Sequence, residues 1–173
     1  MQDNVAIVTG ASRGIGLAIA TELASQGYSL GLVSRSKTDI ENASKSIQKQ
    51  FPQTNVIHSA FDVVNGVCVE EFVGRVFKEL GDVSVLVNNA GDYRTGTSSM
   101  AIEETKRMMD VNFLATTSFV QSVLPSMKKS GRGYIFNIAS MCGVQAFSDV
   151  GSYCASKFAL VGYSSSLAQE LAP

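Results

Sequence analysis

The sequence predicts an α/β fold: a doubly wound, mostly parallel sheet of five strands. Two observations carry that prediction. Short β-branched apolar runs alternate with longer helical patterns along the chain, and such alternation joins parallel strands through right-handed helical crossovers. The strand runs are also nearly all apolar instead of alternating, as expected where helices cover both faces of a sheet. With 173 residues and a hydrophobic content of 45%, the chain suits one domain with a substantial core and leaves little room for a second.

Taken in order, a first strand near Asn4–Thr9 leads to a helix near Ile15–Gln26, which Gly27 should stop. A second strand near Ser29–Ser34 leads to a helix near Lys37–Gln50, with Ser36 and Asp39 resembling an N-cap and its N3 acid. A third strand near Asn55–Ala60 precedes a helix near Val67–Leu80 that should end at Gly81. A fourth strand near Val83–Asn88 is followed by one long helix, Ile102–Lys129, and a fifth near Gly133–Ile138 by a helix over Ser152–Leu171. No repeat, low-complexity tract or linker interrupts them, and the expected strand order is 3-2-1-4-5. The chain stops at Pro173, where such a sheet usually continues with another strand. The fold therefore reads as C-terminally incomplete, with the edge of its fifth strand exposed.

Composition excludes several functions. Fourteen Lys+Arg against fifteen Asp+Glu leave a net charge of −1, so there is no basic footprint for nucleic acid or an anionic membrane. Apolar stretches such as Val83–Val87 are too short to span a bilayer, and the N-terminus shows no export signal, which points to the cytoplasm. Cys68, Cys142 and Cys154 lack CxxC spacing and, with His58 as the single histidine, make no metal site; they read as buried or partly buried thiols in a reducing compartment. The Asn42-Ala43-Ser44 sequon carries no meaning without export.

The first strand ends in Thr9-Gly10-Ala11-Ser12-Arg13-Gly14-Ile15-Gly16 and a helix follows at once. Gly10 permits a tight turn, Gly14 lets backbone approach a pyrophosphate, and Gly16 allows close packing of helix on strand. The free N–H groups of the helix start then face the phosphates, so Gly10, Ser12, Arg13, Gly14, Ile15 and Gly16 are candidate cofactor-binding residues. An acidic residue at the end of the second strand would bind the adenosine ribose and repel a 2′-phosphate. Here stand Ser34 and Arg35, with Arg13 offered from the loop; two guanidinium groups suit a 2′-phosphate and favour NADP(H) over NAD(H). The bland alternative for either arginine is a solvated surface charge.

Tyr153 and Lys157 lie four residues apart in an expected helix and so share one face. A free tyrosine, with a pKa of about 10, exchanges protons poorly at neutral pH, but a nearby ammonium stabilises the phenolate and moves it toward the useful range. Taken alone, Tyr-x-x-x-Lys is common by chance.

The surrounding residues resemble the short-chain dehydrogenase/reductase family. Thr9–Gly16, Asp62-Val63, Asn88-Asn89-Ala90-Gly91, Asn112, Ser140 and Tyr153-x-x-x-Lys157 occur in family order and spacing, and the similarity runs from Val5 to Pro173. The resemblance implies a Rossmann-like fold and a carbonyl or alcohol substrate such as a 3-oxoacyl thioester or small ketone. It implies that Tyr153 is the proton donor and acceptor, that Lys157 holds the nicotinamide ribose, and that Ser140 binds the substrate oxygen. Asn112 would help to place a proton-relaying water. Asp62 and Val63 would flank the adenine, and Asn89, Ala90 and Gly91 would line the wall beside the cofactor. Ile138 and Val111 fit either that wall or the core, and Tyr93, Met141, Gln145 and Phe147 fit either a substrate pocket or loop packing. Apolar positions on the last two long helices suggest a homodimer or homotetramer. The competing reading is a nucleotide-binding or regulatory domain without catalysis, motivated by the missing C-terminal segment.

Overall fold

A computed structural model describes residues 4–172; Pro173, to which the resemblance extends, lies outside the described residues. Strands β1 (Val5–Thr9), β2 (Ser29–Ser34), β3 (Val56–Ala60), β4 (Val83–Asn88) and β5 (Tyr134–Asn137) form one parallel sheet. Their order is 3-2-1-4-5, as the alternation predicts. Helices α1 (Gly14–Ser25), α2 (Lys37–Gln50), α3 (Gly66–Leu80), α4 (Ile102–Met109) and α5 (Ala115–Ser130) make the crossovers, and α6 (Gly151–Leu171) follows β5. The register pairs Thr9 with Val33, Val8 with Val87 and Ser34 with Ala60. The carboxyl ends of the strands therefore meet along one edge, where the connecting loops gather.

Alternation along each strand sorts the apolar side chains onto two faces. Val5, Ile7 and Leu86 pack with Phe72, Val76, Phe119 and Val123 from α3 and α5. Ala6, Val8, Leu30, Leu32, Val85 and Val87 pack with Ala20, Ile40 and Ile47 from α1 and α2. Two covered faces explain the unbroken apolar strands. β5 departs from that expectation. It is in register with β4, so Tyr134 and Phe136 share the face of Val85 and Val87. That face is bare here, leaving the two rings 64% and 53% exposed, because α1 packs over β1 and β2 and α2 over β2 and β3. β5 is also shorter than Gly133–Ile138.

The single helix expected over Ile102–Lys129 is three pieces: α4, a five-residue π-helical turn at Asp110–Leu114, and α5. A π turn holds one residue more than an α turn and is frequent at functional sites. Here it carries Asn112, 1% exposed, while Val111 and Ala115 stay in the core. α5 runs on through Pro125 because Val120, Val123 and Met127 bury around it. The Ser36 hydroxyl accepts from Asp39 N at 3.3 Å, the cap foreseen in the sequence, and Asn65 caps α3 in the same way. The thiols of Cys68 and Cys142 are partly buried and that of Cys154 is buried, all three free. Among the described residues no helix is long and apolar enough to cross a membrane, and no group of metal-ligating side chains gathers.

Two glycines give opposite predictions. A Cβ on Gly31 would meet Val76 Cγ2 at 2.9 Å in the core, so Gly31→Ala should cost about 1–3 kcal/mol. Gly74, on the exposed side of α3 with nothing within 4 Å, should gain roughly 0.5–1 kcal/mol as alanine. Chemical denaturation of both variants checks the pair.

Candidate active site

The chain leaves β1 through Gly10 (φ 63°) and Gly14 (φ 56°), both in the left-handed region that glycine tolerates. Thr9 Oγ1 accepts from the N–H groups of Asn89 and Ala90, at 3.0 Å each. Asn89 Nδ2 returns bonds to the carbonyls of Thr9 (3.0 Å) and Gly10 (3.2 Å). Asn89 thus stitches the loop after β4 to the loop after β1. A Cβ on Gly16 would lie 2.4 Å from both Asn89 Nδ2 and Gly10 O, whereas one on Gly14 would meet nothing within 4 Å. Gly16 therefore seals the helix against the turn from beneath, and Gly14 faces open space.

Above the turn lies a cleft of about 550 Å³, lined by Gly10, Ser12, Arg13, Gly14 and Ile15 of the loop and by Ser34 and Arg35 at the end of β2. Asp62 and Val63 line it from the loop after β3, and Asn89, Ala90 and Gly91 from the loop after β4. Arg13, at the N-cap of α1, makes no side-chain cap bond, and the first turn of α1 holds no acidic residue. The N–H groups there are left for an anion. Volume, uncapped helix start and open glycine together fit a dinucleotide. Val111 belongs to both core and cleft, while Ile138 packs against the α1/α2 side of the core without lining the cleft.

The second cluster forms where β5, the π turn and α6 meet. Ser140 follows β5 and caps a short 3₁₀ turn, Met141–Gly143, its hydroxyl accepting from Cys142 N at 3.1 Å. That turn is pressed onto α6: a Cβ on Gly143 would lie 2.9 Å from Lys157 O. Lys157 is buried, its Nζ donating to Ile138 O at 2.8 Å and lying 5.8 Å from the Tyr153 ring centroid. Burial pushes the Lys157 pKa below its usual 10.5. Asn112 Nδ2 donates to Asp92 O (2.8 Å) and Ser156 Oγ (2.9 Å), and its Oδ1 accepts from Asp92 N (2.7 Å). Both amide hydrogens are committed to the protein. Ser156 Oγ in turn donates to Tyr153 O at 2.7 Å.

The start of α6 is held from the loop after β4. Gly96 N donates to Asp149 O, Gly151 N to Thr97 Oγ1, and the hydroxyls of Thr105 and Ser152 share a bond of 2.8 Å. Asp149 adopts φ 63°, a conformation that aspartate tolerates better than most residues. From the same loop Tyr93 sets its ring edge-on to Tyr153, centroids 5.0 Å apart. Tyr93, Met141 and Phe147 are 60%, 66% and 45% exposed, and Gln145 is exposed as well.

Asn112, Ser140, Tyr153 and Lys157 are thus assembled around one stretch of α6. Tyr153 and Lys157 stand outside the lining of the cleft, and Gly16 lies beneath it. Sequence reasoning missed Asp39 and Arg107, both of which line the cleft, and the Thr9 and Ser156 hydroxyls that tie its loops together. Thr9, closing an apolar strand before the glycine turn, offered a signal. Arg107 offered none, since its partner Asp62 lies 45 residues away in sequence.

Residues 4–173 match the family described as short chain dehydrogenase. The chain is 38% identical over its whole length to 3-ketodihydrosphingosine reductase of Bacteroides thetaiotaomicron, and spans 60% of that protein's length. Its fold superposes on an alcohol dehydrogenase from the archaeon Thermococcus sibiricus complexed with 5-hydroxy-NADP: TM-score 0.91, identity 33%, covering 98% of this chain and 72% of that one. It also superposes on an NAD⁺-bound xylitol dehydrogenase: TM-score 0.92, identity 28%, covering 98% and 65%.

Lys157 makes stability depend on pH. Its folded pKa is depressed, so below 10.5 there is a window in which the unfolded chain binds the proton that the folded protein has lost. Stability rises with pH across that window, as the burial cost of the charge disappears. Denaturation at pH 7 and pH 10 should show the wild type gaining on Lys157→Met at the higher pH. A difference independent of pH would count against a desolvated lysine.

Proposed function

The chain belongs to the short-chain dehydrogenase family, and on that premise we propose that it is an NADP(H)-dependent oxidoreductase acting on a carbonyl or alcohol. The observation that carries this reading is the pairing of Tyr153 with a buried Lys157 one helical turn away, beside the turn that bears Ser140.

The nicotinamide, when bound, supplies or takes the hydride. The protein would hold the dinucleotide by its pyrophosphate, on the uncapped N–H groups at the start of α1 and with Gly14 leaving room for the backbone approach. Asp62 and Val63 would flank the adenine, and Asn89, Ala90 and Gly91 would line the wall beside the cofactor. Tyr153 donates its hydroxyl proton to the carbonyl oxygen in reduction and takes one from the alcohol in the reverse direction. The Lys157 ammonium, fixed by the Ile138 carbonyl, favours the negative charge that develops on the phenol oxygen, and it reaches for the ribose hydroxyls. Ser140 gives its hydroxyl hydrogen to the substrate oxygen while its lone pair accepts from Cys142 N. Asn112 spends both amide hydrogens on Asp92 and Ser156, so a relaying water would be held as a donor to a carbonyl oxygen of Asn112.

Arg13 and Arg35 at one end of the cleft support the 2′-phosphate and hence NADP(H). Asp39 lines the same end and favours a free ribose hydroxyl, the arrangement suited to NAD(H). Two guanidinium groups against one carboxylate tip the balance to the phosphate. The exposed Tyr93, Met141, Val144 and Phe147 support an apolar carbonyl substrate, as does a relative named for 3-ketodihydrosphingosine. Leu114 and Phe158, 51% and 44% exposed on the π turn and α6, support association through these helices.

Tyr153→Phe should lower kcat roughly 10²–10⁴-fold while leaving NADPH binding within about threefold. Preserved turnover would sink the proposal. Tight NADPH binding by the wild type with no turnover on a broad carbonyl panel would mean a nucleotide-binding domain without catalysis. Arg35→Ala should reduce the NADPH:NADH ratio of kcat/KM by about tenfold, one charge-assisted contact's worth, and an unchanged ratio would return Arg35 to the solvated surface.

A further inference from the structure

We infer that Arg107 is a cofactor-positioning residue that holds Asp62 as the acceptor for the 6-amino group of the adenine. The inference rests on the dinucleotide reading above and concerns a residue that neither the glycine loop nor the Tyr153–Lys157 helix brings to notice. Arg107 Nη2 donates to Asp62 Oδ2 at 2.7 Å, and Asp62 Oδ1 accepts from Val64 N at 3.3 Å. Both residues line the cleft, together with Val63 and Val111.

The Asp62 side chain is 39% exposed and that of Arg107 25%. An aspartate so open to solvent ordinarily rotates among rotamers. Here each carboxylate oxygen is tied to a different partner, one bond charge-assisted and short, so the group keeps lone pairs but loses its freedom. A fixed carboxylate accepts and does not donate. It therefore suits a base that presents an amino group and opposes one that presents a carbonyl at the same place. The guanidinium also cancels the Asp62 charge, which would otherwise repel the cofactor phosphates. Arg107 stands on α4, five residues before Asn112 in one helical run. The ion pair thus joins the loop at the adenine end to the segment that carries the Asn112 clamp.

The test compares, in the whole protein, binding of NADPH, of its reduced hypoxanthine analogue and of reduced nicotinamide mononucleotide, by nicotinamide fluorescence. The wild type should bind the adenine form about tenfold tighter than the hypoxanthine form, as one hydrogen bond allows. Arg107→Met should raise the Kd for NADPH about tenfold and cut the adenine preference below about threefold, leaving mononucleotide binding unchanged. Arg107→Lys should restore part of the preference, and Lys128→Met, an exposed ion-pair control, should change nothing. In an Asp62→Asn background, Arg107→Met should add no further loss. An unchanged adenine preference in Arg107→Met, or a further loss in the Asp62→Asn background, overturns the assignment while the dinucleotide reading stands. A wild type that binds the mononucleotide and neither dinucleotide overturns both. Should Arg107→Met not fold, Arg107→Lys and Asp62→Asn carry the test, and full adenine preference in both overturns the assignment.

Discussion

Asn112 lies at 1% exposure inside a π turn, and its amide bonds both backbone groups of Asp92 and the hydroxyl of Ser156. The Asn112 amide itself is shielded from water, and losing it would strip the half-buried Asp92 of both its backbone partners, at about 1 kcal/mol per bond. Ser156 passes the constraint to the Tyr153 carbonyl, and Asp92 passes it to the loop after β4, which Thr9 and Asn89 stitch to the glycine turn. One buried amide therefore ties together three segments of the candidate site: the glycine turn, the loop beyond β4 and the stretch of α6 that carries Tyr153 and Lys157.

The sheet explains why these segments meet at all. Parallel strands end together on one edge, and their following loops are free of ladder hydrogen bonds, so that edge is where backbone amides and polar side chains can face a ligand. Asn88 extends the polar order across β4 and β5: its Nδ2 donates to Asn137 Oδ1, and Asn137 Nδ2 donates to Ser164 Oγ of α6. Its own Oδ1 has no hydrogen-bond partner among the described residues. The electrostatics divide along the cleft. Arg13, Arg35 and Asp39 line it together, the Asp62–Arg107 pair neutralises itself within the same lining, and a desolvated Lys157 lies 5.8 Å from the Tyr153 ring centroid.

Most of the fold was legible because its signals are local. Apolar runs, helix caps such as Ser36 with Asp39, and stops at Gly27 and Gly81 act within a few residues, and the strand order is the one a doubly wound α/β pattern leads to. The gaps have one physical origin, namely contacts between residues far apart in sequence. Nothing local in Asp110–Leu114 announces a π turn; it forms where Asn112 reaches partners on another loop and another helix. Tyr134 and Phe136 read as core until the placement of α1 and α2 leaves their face of β5 bare.

By itself the sequence determined the alternation of strands and helices, the glycine turn with its uncapped helix start, and the placing of Tyr153 and Lys157 on one helical face. These depend on backbone geometry, propensity and periodicity, which act over a few residues. Only the tertiary structure decided that Asn89 and Asn112 spend their amides on holding loops, that Gly16 seals the turn from below, and that Arg107 meets Asp62 across 45 residues of chain. Such pairings exist only once the sheet has brought its loops to a common edge, and no spacing in the linear chain encodes them.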